Sequence, residues 1–551
     1  MTAASPLTAR RRASLFVGRL SSRPRRCAAL LALLSAVYVA AFVPANHTGS
    51  ANVNMLGVFQ VDEFAQYHAI WRMTEPAESS AAALRQFLAY DYYSYGFPFF
   101  AASALAFWPL RDAYLETGAP GLTAASMLLL RELSPLLHVL SILMLVGLWT
   151  GFRSVPRAVA LFAFLAALPA VVSDSLWWHP DAWVTFFTVA TIAALVRDRL
   201  RLGRWFYAAA IACGLATATK LVGLWFFAAV ALHLARALPR RPLRDVALHG
   251  VGFAGAMALA VLAASPMLFV PGEFSKVVAF QATVPAIIGF GWGERSSTGI
   301  ASWLPTLRSG FGGVSALLAC AGIAAVTAAR DRARRDLAAV ILAFALPFCA
   351  YLFFAVAYHS ERYLLPALLP LASCAGSEIW LRTLRDASAP RAARAVSAAA
   401  ALALVVAFAS FVADDVHRYR AVLDREGASA SLAFYRELDQ KVISALPADA
   451  RLRILRTPYV YVPPDPRFDV RLRWGGIEPG DLSEANPDLI LVSREDLERW
   501  GDPTFTARTN DVPRAQRMYA FYSVAARDEL PGYRRLFETG FAIAYGRVAA
   551  N

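Results

Sequence analysis

Apolar stretches of 15 to 22 residues recur through the first 413 positions, joined by segments rich in arginine. A bilayer core takes roughly 20 apolar residues per helix, and fewer where a helix ends inside protein. On that template, spans fall near 27–45, 131–149, 156–172, 182–196, 205–219, 221–235, 247–268, 312–329, 337–357, 363–381 and 395–413. Arginine collects on alternate connections: Arg10 to Arg26, Arg153 and Arg157, Arg197 to Arg204, Arg236 to Arg244, Arg330 to Arg335, and Arg382 to Arg394. The positive-inside rule makes these cytoplasmic, with residues 1–26 a basic cytoplasmic N-terminus. The outer segments are then 46–130, 173–181, 269–311, 358–362 and the tail from 414. Only Lys220 interrupts the apolar run 205–235. One helix there would put two arginine clusters on opposite faces, so the run reads as two short spans with Lys220 at the outer turn.

Beyond residue 413 the pattern changes. RLRILRTPYVYV, PDLILVS and FAIAYGRV read as strands, with SLAFYRELDQKVISAL and REDLERW as helices between them. Residues 414–551 are expected to form a small extracytoplasmic α/β domain, an acceptor-binding lid or a structural cap, in which the RW-GG stretch at 473–476 is a loop. The fold class is therefore mainly α: a polytopic membrane protein of about eleven transmembrane helices, with a large first external loop and a C-terminal α/β domain.

Composition fits this reading. The 551 residues are 58% hydrophobic with a formal charge of +14. The tail from 414 holds 20 basic and 21 acidic residues, leaving 34 and 19 for the apolar part, so the excess follows membrane topology and argues against nucleic acid as a partner. The five cysteines lie in or beside apolar segments without paired spacing, which indicates neither a disulfide framework nor a zinc site. The Arg10-Arg11-Arg12 run and the VPA at 43–45 imitate export signals, but a basic flank is also what an uncleaved first span requires. Alanine and arginine bias suggests a bacterial host, in which the Asn46-His47-Thr48 sequon would carry no sugar.

The unusual polar residues gather on the outer side: Asp62, Glu63, His68 and Asp91; Asp174, His179 and Asp181 in SDSLWWHPDAW; Lys220; Glu294 and Arg295; and His359, Glu361 and Arg362 in YHSERYLLP. Ionisable groups at membrane depth line a cavity or pair with one another, so one polar site at the outer surface is expected. Asp62 and Glu63 read either as a helix-start charge pair or as a base with its partner. Asp174, His179 and Asp181 have metal-ligand chemistry, yet Pro180 with Asp181 is also an ordinary helix start. Lys220, Arg295 and Arg362 suit a phosphate, with arginine pairing to a neighbouring glutamate as the plain alternative. The aromatic stretch QFLAYDYYSYGFPFFAASALAFW reads as an interfacial belt, a floor for a lipid-linked substrate, or both.

These motifs, in this order and on one side, resemble the GT-C superfamily of glycosyltransferases. VDEFAQY is similar to the Asp-Glu motif of their first external loop, with Val61 where the lipid-linked mannosyltransferases have proline. HPDAWVTFF followed by GLATATKLVGL resembles protein-mannosyltransferase and aminoarabinose-transferase relatives. HSERYLLPALLP is similar to the His-Lys-Glu-x-Arg-Phe-x-x-Pro segment of the mannosyltransferases, with Ser360 in place of lysine and the spacing one shorter. The resemblance implies a catalytic membrane domain over 27–413 that moves a sugar from a polyprenyl-phosphate donor to a hydroxyl of a lipid, glycan or protein, with single inversion. Asp62 would be the general base and Glu63 its partner. His68, Asp91, His179, Asp181, Lys220, Arg295, His359, Glu361 and Arg362 are the substrate-binding candidates. Lys220, Arg295 and Arg362 would clamp the phosphate. No cofactor or metal is required, although some relatives use a metal. The expected location is the bacterial inner membrane with the site facing the periplasm or exterior. A transporter or flippase for an anionic sugar or lipid, or a noncatalytic envelope scaffold, is the alternative.

Overall fold

Each of the eleven expected spans falls on a helix in the computed structural model, which describes residues 6–117, 121–290, 297–447, 449–509 and 511–548. Seven helices are long and apolar enough to cross a membrane: Pro24–His47, Leu122–Thr150, Val222–Arg240, Leu243–Ala263, Arg335–Ala355, Glu361–Arg385 and Arg391–Leu423. Two bent pairs raise the number to nine, Val155–Ala166 with Pro169–Ser175 at 65° and Ile300–Phe311 with Val314–Arg330 at 84°. The other two expected spans are helices Asp181–Asp198 and Arg204–Lys220, of 18 and 17 residues. They pack against each other, and with charged ends they are shorter than a full bilayer core, as expected of helices that end inside protein. The Arg204–Lys220 helix stops where Leu221 takes a left-handed φ of 58°, and a tight turn over Val222–Phe226 begins the next helix.

The Leu122–Thr150 helix starts nine residues before the expected span and carries Arg131 in its interior. Arg131 and Glu63 are both fully buried, and Arg131 Nη2 meets Glu63 Oε2 at 2.6 Å. Arg131 Nη1 donates to the carbonyls of Asn46 and Thr48 at 2.6 and 2.8 Å, while the Trp178 N–H donates to Glu63 Oε1 at 2.8 Å. One ion pair thus fastens the end of the first span, the Val61–Thr74 helix and the 176–180 loop.

The aromatic stretch of the first loop is a buried core rather than a surface belt. Tyr90, Phe99, Phe100 and Phe107 are almost entirely enclosed with Trp178. Gly96 ties this core to the Arg204–Lys220 helix: its N–H donates to the Thr219 carbonyl at 3.0 Å, and a Cβ there would fall on the Ala218 carbonyl oxygen.

The C-terminal region folds on a five-stranded mixed sheet of β1 Leu452–Arg456, β2 Phe468–Leu472, β3 Leu489–Ser493, β4 Tyr533–Glu538 and β5 Ala542–Arg547, in the order β2-β1-β3-β5-β4. β1 is parallel to β2 and β3; β5 is antiparallel to β3 and β4. β3, buried along its whole length, has the continuous apolar pattern that marks it in the sequence, whereas the missed strands β2 and β4 lie at the sheet edges and alternate with charge. The expected strand through YVYV ends at Arg456, before Pro458, which cannot donate to a ladder. The last membrane helix runs to Leu423, past the expected boundary at 413.

Two substitutions test this frame. Glu63→Gln leaves Arg131 buried without a counter-charge and is expected to cost about 3–5 kcal/mol, read as a lowered unfolding temperature of the purified protein. Gly96→Ala overpacks the loop against a backbone carbonyl and is expected to cost about 1–3 kcal/mol by the same measurement.

Candidate active site

Five polar residues from four helix ends and one loop meet at one point. Asp62 lies in the first turn of the Val61–Thr74 helix and Arg362 in the first turn of Glu361–Ser373. Asp181 opens the Asp181–Asp198 helix and Lys220 closes Arg204–Lys220, while His179 sits in the loop before Pro180. Helix starts favour carboxylates and helix ends favour cations, so Asp62, Asp181 and Lys220 all sit where the backbone field suits them.

The contacts form a chain of alternating charge. Lys220 Nζ donates to Asp181 Oδ1 at 2.6 Å. Arg362 Nε faces Asp181 Oδ2 at 3.8 Å, and neither atom has a hydrogen-bond partner among the described residues. Arg362 Nη2 donates to Asp62 Oδ2 at 3.2 Å, and Nη1 donates to His179 Nε2 at 2.7 Å. Nη1 also lies 3.1 Å from His179 Nδ1, which is 4.0 Å from Asp181 Oδ2, and whichever ring nitrogen accepts from the guanidinium, the imidazole must be neutral. Aromatic faces close the cationic side: Lys220 Nζ lies 4.4 Å from the Tyr363 ring centre and 5.6 Å from that of Tyr95. Burial, followed by the charge of Asp62, pushes the Tyr92 hydroxyl up to about 12 and Tyr95 well above its ordinary range, so both are donors at neutral pH.

Asp62 has a second exposure. It lines a cavity of about 670 Å³ between the first external loop and the C-terminal sheet, together with Phe64, His68, Tyr92, Arg456 and Trp474. The carboxylate therefore stands between the cations and an open, largely apolar chamber.

The other candidates are dispersed. Glu63, adjacent to Asp62, is committed to Arg131. His68 is on the cavity wall, edge-on to Phe64. Asp91 is on the surface, bonded to Arg72 at 2.9 Å and Lys276 at 3.2 Å. Glu361 pairs with Arg418 at 2.8 Å rather than with Arg362. His359 packs edge-on against Trp303, with ring centres 4.8 Å apart. Asp174 pairs with His138 at 2.9 Å in the interior. Arg295 and Glu294 lie outside the described residues. Among the described residues no three His, Cys, Asp or Glu side chains converge as a metal-ligand group. Tyr92 and Tyr95 belong to the aromatic stretch expected to be a belt or substrate floor and Trp474 to the 473–476 loop, whereas Tyr363 and Arg456 carry no sequence signal beyond nearby charged residues.

Residues 97–271 match the family described as dolichyl-phosphate-mannose-protein mannosyltransferase, a stretch that holds His179, Asp181 and Lys220. No curated protein sequence matches the chain. Among solved structures, ArnT from Cupriavidus metallidurans bound to undecaprenyl phosphate is similar with a TM-score of 0.51 at 14% identity, covering 95% of this chain and 98% of that one. The apo form of the same ArnT gives a TM-score of 0.50 with the same identity and coverage. At this identity the likeness is one of fold. The chain thus carries a central segment that matches the protein-mannosyltransferase family model and has an ArnT-like membrane architecture over nearly its full length.

Proposed function

We propose that the chain transfers a sugar from a polyprenyl-phosphate donor to an acceptor hydroxyl on the extracytoplasmic face, with Asp62 as general base and inversion at the anomeric carbon. The observation that carries this reading is the double placement of Asp62, bonded to Arg362 on one side and lining the cavity on the other. The solved ArnT holds undecaprenyl phosphate, and Lys220 with Arg362 supplies this chain with the charge such a leaving group needs. In the step, the acceptor oxygen forms a bond to the anomeric carbon as its proton passes to Asp62. The bond from the anomeric carbon to the phosphate oxygen breaks, and the electron pair stays on the phosphate. Cations held in place before the reaction stabilise that developing charge without reorganising, and Arg362 Nε, which has no hydrogen-bond partner among the described residues, can donate to it. Arginine clusters on the opposite side of the spans support the assignment of face.

His179 contributes as a neutral group. Burial, then the charges of Arg362 and Lys220, hold its imidazole well below its ordinary 6.5, so it positions Arg362 without adding charge.

Three outcomes are expected. With purified protein and radiolabelled polyprenyl-phosphate sugars, Asp62→Asn lowers transfer to membrane-extract acceptors by roughly a hundredfold or more. Unchanged transfer would remove Asp62 from the mechanism. Arg362→Gln lowers the rate of donor cleavage by about 10²–10³, checked by release of free polyprenyl phosphate. Below pH about 6.5 the unfolded chain protonates His179 while the folded chain does not, so this residue subtracts stability as pH falls through that value and subtracts none above it. His179→Gln should therefore flatten the fall in unfolding temperature between about pH 7 and pH 5.

A further inference from the structure

The side of the cavity opposite Asp62 is built by the C-terminal domain, and its chemistry is specific. Strands β1 and β2 are parallel, and their carboxyl ends, Arg456 and Leu472, both line the space. In open sheets with parallel strands, ligands bind in the crevice beyond those ends. The Arg473 N–H donates to the Arg456 carbonyl at 2.9 Å, which continues the pairing one residue past β2 and delivers Trp474 to the cavity wall.

Arg456 is an unusual residue for that place. It is only 2% exposed, and among the described residues no carboxylate pairs with it. Its Nη1 donates to the carbonyls of Thr457, Pro458 and Val460 at 3.2, 3.3 and 2.9 Å, whereas its Nε, also buried, has no partner among the described residues. An enclosed guanidinium held only by neutral carbonyls is costly unless an anion completes it. Burial accordingly lowers its pKa to about 10.

Trp474 supplies the other feature. The residue is 43% exposed, its indole packs on Phe64 at 5.5 Å between ring centres, and the Arg514 Nη2 group donates to its backbone carbonyl at 2.8 Å. Gly475 follows with a φ of 77°, where a Cβ would also crowd Arg514 at 2.8 Å. The loop motif at 473–476 thus fixes an aromatic face toward the cavity, the surface on which the apolar face of a sugar ring stacks.

We propose that this cavity is the acceptor site and that it selects a glycan-type acceptor bearing an anionic group, phosphate or carboxylate, held on Arg456, with its ring on Trp474 and its hydroxyl toward Asp62. The assignment rests on the glycosyltransferase reading for the role of Asp62, but the binding itself does not require catalysis. Loss of transfer alone would therefore not decide it.

The test measures binding of glucose 6-phosphate, glucuronate, inorganic phosphate and glucose to the full-length protein in detergent, without donor. The wild type should bind at least one of the two acidic sugars about tenfold or more tightly than glucose, the scale of one charge-assisted hydrogen bond. Inorganic phosphate alone should bind more weakly than the better acidic sugar, because it lacks the ring. Preference for glucose 6-phosphate over glucuronate would identify phosphate as the group, and the reverse would identify carboxylate. Arg456→Gln should abolish the preference for charge, and Trp474→Ala should weaken charged and neutral sugars alike. Because Arg456 also braces the Thr457–Val460 turn, Val470→Asp provides a second variant that sets a repelling carboxylate in the cavity wall and should remove the same preference. Equal binding of acidic and neutral sugars by the wild type, or a preference that survives Val470→Asp, would overturn the proposal. Failure of the Asp62→Asn transfer test with this binding pattern intact would instead count against the catalytic reading alone.

Discussion

Neighbouring residues on a helix point about 100° apart, and the site depends on how the chain uses that divergence at Asp62 and Glu63. Glu63 turns inward to Arg131, where both groups are shut off from solvent and every contact is satisfied by charge or hydrogen bonds. Asp62 is consequently held outward, at the junction of Arg362 and the cavity. A buried pair of this kind gives little net stability compared with apolar packing, but breaking it is costly, and that asymmetry suits it to fixing one arrangement of three segments.

The alternating order of the cluster follows from the same need. Lys220, Asp181, Arg362 and Asp62 come from different helices, yet each cation faces a carboxylate, so two basic and two acidic side chains share a confined space. His179 remains neutral between them. A phosphate entering such a cluster would meet donors already oriented, with aromatic rings of Tyr95 and Tyr363 excluding water from the Lys220 side.

The C-terminal domain takes part in the cavity rather than standing apart from it. Two structural routes join it to the membrane region. Asn52 and Asn54 of the first loop donate to the Tyr461 hydroxyl and the Val462 carbonyl, both at 2.9 Å, and Arg425 reaches back to the Thr48 hydroxyl at 2.9 Å. The two asparagine bonds hold the segment after β1 against the first loop, and the ends of β1 and β2 line the cavity together with Asp62.

The sequence alone located the apolar helices, because span length and apolar content are local properties that bilayer thickness reads directly. It also separated the residue types able to do the chemistry, since Asp62, His179, Asp181, Lys220 and Arg362 stand out against an apolar background. Spacing could not reveal which carboxylate of the Asp62-Glu63 pair faces the site, that Glu361 belongs to Arg418, or that Asp91 lies on the surface. Those choices depend on partners such as Arg131 and Arg362, which lie 68 and 300 positions away from the groups they meet. Nor could it reveal the cavity, whose walls come from the first loop and from strand ends some 400 residues later. Tertiary packing decided these points, because an ion pair or a cavity wall is set by distance in space, and a local pattern carries no information about that distance.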